Sequence, residues 1–193
     1  MVALLTLPAQ AKNTILVLGD SLSAGYGINP AQGWVALLQQ RLKREGMAFY
    51  VINSSISGDT TSGGLNRIDA DLKRTQPVLT IIELGGNDGL RGLPIATIKR
   101  NLLSLITKAK AAKSKVILVG VRLPPNYGEV YNAQFAQIFQ DLAKEQQVSL
   151  VPFFLNHIDS NTSLMQADGI HPTTQAQGIL LDNVWGAIKA NLP

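Results

Sequence analysis

The chain has 193 residues, 46% hydrophobic and 16% charged, with a formal net charge of +4; that length supports one well-covered core and leaves too little for two. The composition excludes a disordered chain, and no apolar stretch is long enough to cross a bilayer, so no stable membrane insertion is expected. Lys and Arg are scattered except at Lys108, Lys110, Lys113 and Lys115, which read as cations complementing a helix end; no nucleic-acid partner is expected.

Residues 1–11 form an apolar run ending in Ala9-Gln10-Ala11, the small-x-small pattern of a signal-peptidase site. They are expected to be the remnant of an export signal, with the protein periplasmic or secreted. The basic opening of a full signal is missing, and a simple arm is the alternative. The absence of Cys fits an oxidising compartment without demonstrating one. Residues 12–193 then form a single domain.

The first β-branched run, Thr14 to Leu18, is long enough for a buried strand. Directly after it comes Gly19-Asp20-Ser21-Leu22-Ser23, which sets a hydroxyl at a strand-to-helix turn. Free N–H groups at such a turn can receive negative charge, although Asp and Ser there also serve as plain helix caps. Trp34, Leu37, Leu38 and Leu42 then recur at helical spacing. A second strand, Phe49 to Asn53, leads into Ser54-Ser55-Ile56-Ser57-Gly58-Asp59-Thr60, where Gly58 lets the backbone approach a substrate closely.

A third strand, Val78 to Leu84, runs into Glu83-Leu84-Gly85-Gly86-Asn87-Asp88-Gly89, a polar turn in which Asn87 can donate through its amide. Ile98, Leu102, Leu105 and Ile106 mark another helix; Lys115 to Val121 and Val148 to Val151 read as the last strands. Asp168-Gly169-Ile170-His171-Pro172 precedes a final helical segment from about Thr173 to Leu192. On a compact turn, an acid three residues before an imidazole can bind one ring nitrogen and leave the other free to take a proton. A serine hydroxyl needs such a base. The other histidine, His157, has no acid at the equivalent upstream position and reads as a loop residue.

Alternating strands and helices predict an α/β fold, a three-layer αβα sandwich on a five-stranded parallel sheet of flavodoxin-like form. Reactive groups in such sheets gather beyond the carboxyl ends of the strands. All four motifs fall there. The predicted site therefore has Ser21 as nucleophile, His171 as base and Asp168 as its orienting acid, with an oxyanion hole from the N–H groups of Ser21 and Gly58 and the Asn87 amide.

These blocks resemble the GDSL or SGNH hydrolases, whose motifs are named for Ser, Gly, Asn and His: Ser21, Gly58, Asn87 and His171 with Asp168 match them in order. Ile56 to Thr60, Glu83 to Gly92 and Arg122 to Gly128 look like the bacterial thioesterase I, protease I and lysophospholipase subgroup. The resemblance implies hydrolysis of acyl esters, acyl thioesters or lysophospholipids, by a monomer, with no cofactor and no metal. It also implies a shallow acyl groove, in which Leu90, Leu93, Leu123, Pro124 and Tyr127 would contact substrate.

Two rivals share the fold. A nucleotide or flavin binder would use Gly19, Gly25 and Gly27 against a phosphate, but the spacing matches neither phosphate-binding fingerprint, and no Lys or Arg lies between Gly19 and Gly33. A non-catalytic acyl- or carbohydrate-binding module would keep the sheet without an activated serine.

Overall fold

A computed structural model describes residues 13–192; the expected export segment, residues 1–11, lies outside them. Five strands, β1 (Thr14–Gly19), β2 (Tyr50–Asn53), β3 (Leu79–Glu83), β4 (Lys115–Val119) and β5 (Ser149–Val151), form one parallel sheet in the order β2-β1-β3-β4-β5. Ile15 to Leu18 are fully buried, as both faces of a parallel sheet require. The helices are α1 (Ser21–Ala24), α2 (Trp34–Arg44), α3 (Thr61–Thr75), α4 (Gly86–Leu90), α5 (Ile95–Ala111), α6 (Glu129–Gln146) and α7 (Gln177–Asn191). Helix α2 packs on α7, while α5 lies between α3 and α6. Among the described residues, no helix is long and apolar enough to cross a membrane.

The chain leaves β1 for β2 on one side and reaches β3 on the other, so the order reverses between β1 and β3. Two loops diverge at such a switch point and leave a crevice between them. The register pairs Gly19 with Glu83, which brings the Ser21 turn and the Asn87 turn to that crevice from adjacent strands.

The fourth strand is shorter than the apolar run suggests. Gly120 donates to Val151 O and accepts from Phe154 N, which ends β4 at Val119 although Val121 remains buried. Burial there continues beyond the strand, so hydrophobicity overstates its length. The lysine cluster sits at helix ends: Lys108 and Lys110 close α5, and Lys110 Nζ donates to the carbonyl of Gln146 in the last turn of α6. Lys108 Nζ pairs with Asp69 at 2.7 Å.

Candidate active site

Ser21 opens α1 immediately beyond β1. Asp20 caps this short helix, its Oδ1 accepting from Leu22 N at 3.0 Å. At the other end of the chain, the loop before α7 is folded back by a bridge between Met165 and Pro172 and by Gln166 N donating to His171 O at 2.7 Å. These two segments meet. His171 Nε2 lies 2.9 Å from Ser21 Oγ, and His171 Nδ1 lies 2.7 Å from Asp168 Oδ2.

The Asp168 loop is a small carboxylate cradle: Oδ1 accepts from the backbone N–H groups of Ile170 and His171 at 2.9 and 3.0 Å. Partial burial pushes this carboxyl up, but the His171 backbone N–H, the His171 ring and the Ile170 N–H outweigh it and hold the group at about 2. It is therefore ionised near neutrality. With Asp168 accepting from Nδ1, the hydrogen-bond pattern assigns the ring proton to that nitrogen and leaves Nε2 as acceptor for the serine proton.

The other carboxyls here behave in the opposite way. Burial raises Asp20 to about 6, against the pull of the Leu22 N–H, the His171 charge and the Asn87 amide. Burial also pushes Glu83 well above the ordinary glutamate range, and Asp20 adds to it. Glu83 Oε2 accepts from Ser23 Oγ at 2.7 Å, while its buried Oε1 has no partner among the described residues. An unpartnered buried oxygen is far less costly on a neutral carboxyl than on an anion, so the geometry favours the same direction as burial.

Neither the Ser21 N–H nor the Gly58 N–H has an acceptor among the described residues. Gly58 has φ +80, and a Cβ there would meet only open space, so the glycine is required by backbone conformation rather than crowding. The Asn87 amide is already engaged: its Nδ2 donates to Asp20 Oδ2 at 3.1 Å and to Asp59 O at 2.9 Å. The surrounding loops are clamped. Arg67 pairs with Asp59 at 2.7 Å and donates to Gly19 O and Ser54 O; Asp88 binds the N–H and hydroxyl of Thr61 at the start of α3.

A cavity of about 520 Å³ opens beside Ser21 and His171. Of the side chains proposed to contact substrate, Leu90, Leu123 and Pro124 line it. Leu93 and Tyr127 are not among its lining residues: Leu93 packs on the core, and Tyr127 Oη donates to Leu90 O at 2.9 Å. Val121, Phe153, Leu155, Met165 and Ile170 complete the apolar lining, and Arg122 is stacked over Phe153 at 4.2 Å. Phe153 lies two residues past the end of β5, so the strand-end rule that located the other loops also reaches it. Nothing in the local pattern marks Met165 or Arg67. His157 is exposed, in a turn, and is not among the residues lining this cavity.

An open parallel sheet with a hydroxyl, an imidazole and an ionised carboxylate in hydrogen-bonded series at its switch point defines the serine hydrolases of SGNH type. Comparison of the sequence agrees: the chain belongs to the GDSL-like lipase/acylhydrolase family, whose profile matches residues 17–179. It is 51% identical over 186 residues to esterase TesA of Pseudomonas aeruginosa, covering 96% of this chain and 92% of that protein. It is 45% identical over 179 residues to thioesterase 1/protease 1/lysophospholipase L1 of Escherichia coli strain K12, covering 93% and 85%. The crystal structure of the psychrotrophic esterase EstA from a Pseudoalteromonas species, inhibited by monoethylphosphonate, superposes with a TM-score of 0.89 at 42% identity, over 92% of this chain and 97% of that one.

Proposed function

We propose that this chain hydrolyses acyl esters and acyl thioesters, lysophospholipids among them, through an acyl-enzyme on Ser21. The observation that carries the reading is the unbroken series from Ser21 Oγ through the His171 ring to Asp168, at 2.9 and 2.7 Å. His171 Nε2 takes the proton as Ser21 Oγ attacks the acyl carbonyl, and Asp168 stabilises the imidazolium. The carbonyl oxygen becomes an oxyanion, received by the uncommitted N–H groups of Ser21 and Gly58. Asn87 completes the hole by sharing with the oxyanion the hydrogen now directed at Asp20.

Collapse of this intermediate breaks the bond to the alcohol or thiol, which leaves with the proton held by His171. Water, deprotonated by the same ring, then attacks the acyl-serine, releasing the carboxylic acid and restoring the hydroxyl. Every proton is accounted for by one imidazole, so no metal or organic cofactor enters. The cavity falls within the range of small-ligand sites, and its mainly apolar lining suits an aliphatic acyl chain. The names of the relatives support both ester and thioester chemistry. We place the enzyme in the periplasm or outside the cell, as a monomer; fractionation of the native host and light scattering test these two points.

The decisive experiment is a series of p-nitrophenyl esters and acyl-CoA thioesters of graded length, run beside Ser21→Ala and with fluorophosphonate labelling. Wild type should turn over both series and label stoichiometrically, and Ser21→Ala should fold but do neither. Substantial hydrolysis by Ser21→Ala would remove Ser21 from its role.

A further inference from the structure

Tyr26 lies five residues after the nucleophile, at the end of the turn that closes α1, its N–H donating to Ser21 O at 3.1 Å. Tyr26 is 51% exposed, and its ring covers the His171 imidazole, with centroids 4.4 Å apart and planes tilted by 39°. The contact is tethered from below. Gln166 Nε2 donates to Tyr26 O at 2.8 Å and to Pro172 O at 3.0 Å, while Gln166 N donates to His171 O. Gly27, at φ +73, leaves room for that amide, since a Cβ there would collide with Gln166 Oε1. One glutamine thus joins the Tyr26 turn to the His171 loop on both sides of the stack.

We infer that Tyr26 is a positioning residue for the base: its aromatic face seats the His171 ring towards Ser21 and stabilises the imidazolium formed as Ser21 is deprotonated. This rests on the reading of His171 given above. The ring carries negative potential on its face, and a cation held against it is stabilised most where water is partly excluded. Ser21 and Asp168 occupy the two nitrogens of His171, and Tyr26 meets the ring itself. The Tyr26 hydroxyl has no hydrogen-bond partner among the described residues, so the role belongs to the ring.

The experiment compares Tyr26→Phe with Tyr26→Leu, each in wild-type and His171→Ala backgrounds, on a short-chain p-nitrophenyl ester, with melting curves for all. Tyr26→Phe should keep wild-type kcat. Tyr26→Leu should lose about 2- to 30-fold in kcat with KM unchanged, and the residual hydrolysis of His171→Ala should not respond to it, because the ring acts only through the imidazole. Wild-type kcat in Tyr26→Leu, equal losses in the Phe and Leu variants, or the same loss with and without His171 would each overturn the inference while leaving the triad standing. Wild-type kcat in His171→Ala alone would instead sink the reading of the site. Should Tyr26→Leu fail to fold, Tyr26→Gln, polar and non-aromatic at a half-exposed position, carries the same comparison.

Discussion

Replacing Asp168 by Asn separates the catalytic role of this carboxylate from its structural one. The new side-chain oxygen can still accept the Ile170 and His171 N–H groups that Oδ1 holds at 2.9 and 3.0 Å. The amide nitrogen, however, now faces His171 Nδ1, which must turn acceptor. The ring proton moves to Nε2, and that nitrogen can no longer take the serine proton. A loss of about 10⁴ in kcat is expected, on the order of 5 kcal/mol of transition-state stabilisation. The stability cost is of another order. A carboxyl held at about 2 against an ordinary 3.8 would contribute about 2 kcal/mol if buried, but its side chain is 38% exposed, and solvent screening reduces this to about 1 kcal/mol or less. The melting temperature should fall by only about 2–4 °C. Because the folded value is depressed, the contribution is present above pH 3.8 and is lost as pH falls through about 2. Steady-state kinetics on a p-nitrophenyl ester and a calorimetric melt measure both quantities. A kcat within an order of magnitude of wild type, or a collapse of the melt that accounts for the lost activity, would refute the tautomer argument.

Three further outcomes follow from the surrounding groups. Asp20 is raised by burial, so the native state holds its proton more tightly than the unfolded chain; urea stability should decline as pH rises from 3.8 towards about 6, and Asp20→Asn should flatten that decline. Glu83→Gln, isosteric with a neutral carboxyl, should keep the urea midpoint near wild type, whereas Glu83→Ala leaves the Ser23 hydroxyl without its acceptor and should cost about 1–3 kcal/mol; equal losses in the two variants would mean that Glu83 is ionised. Gly58→Ala places an L side chain at φ +80, a local cost of about 1–2 kcal/mol, and should withdraw an oxyanion donor, lowering kcat by up to about 10²–10³ with little change in KM.

The five parallel strands and the positions of Ser21, Gly58, Asn87, Asp168 and His171 could be read from the sequence because each polar motif stands at a strand end or a helix start. What escaped that reading acts across the fold. Arg67 has no local peculiarity on α3, yet it holds Gly19 O, Ser54 O and Asp59 together. Tyr26 reads as one aromatic residue near glycines; its meaning comes from a ring 145 positions away in sequence. Asp20 reads correctly as a helix cap through Oδ1, while its second oxygen, on Asn87, depends on β3 lying beside β1. Leu93 and Tyr127 occupy the loops that form the groove, but spacing does not say which residues of a loop line the cavity, and these two are not among its lining residues.

The same network explains why Asp168, and not Asp20 beside Ser21, binds the imidazole. Asp20 is adjacent in sequence to the nucleophile and close enough for the His171 charge to affect its ionisation. Yet its two oxygens are committed to the Leu22 N–H and the Asn87 amide, and burial raises its carboxyl to about 6, so it holds its charge less readily than Asp168. Asp168 stands in a partly solvated turn with three donors aimed at it. Its anion is stable before the reaction starts and needs no rearrangement when the imidazolium appears, which is what electrostatic preorganisation requires. N–H donors and partial exposure favour the charge at Asp168, whereas burial disfavours it at Asp20, so Asp168 is the more readily held anion beside the histidine.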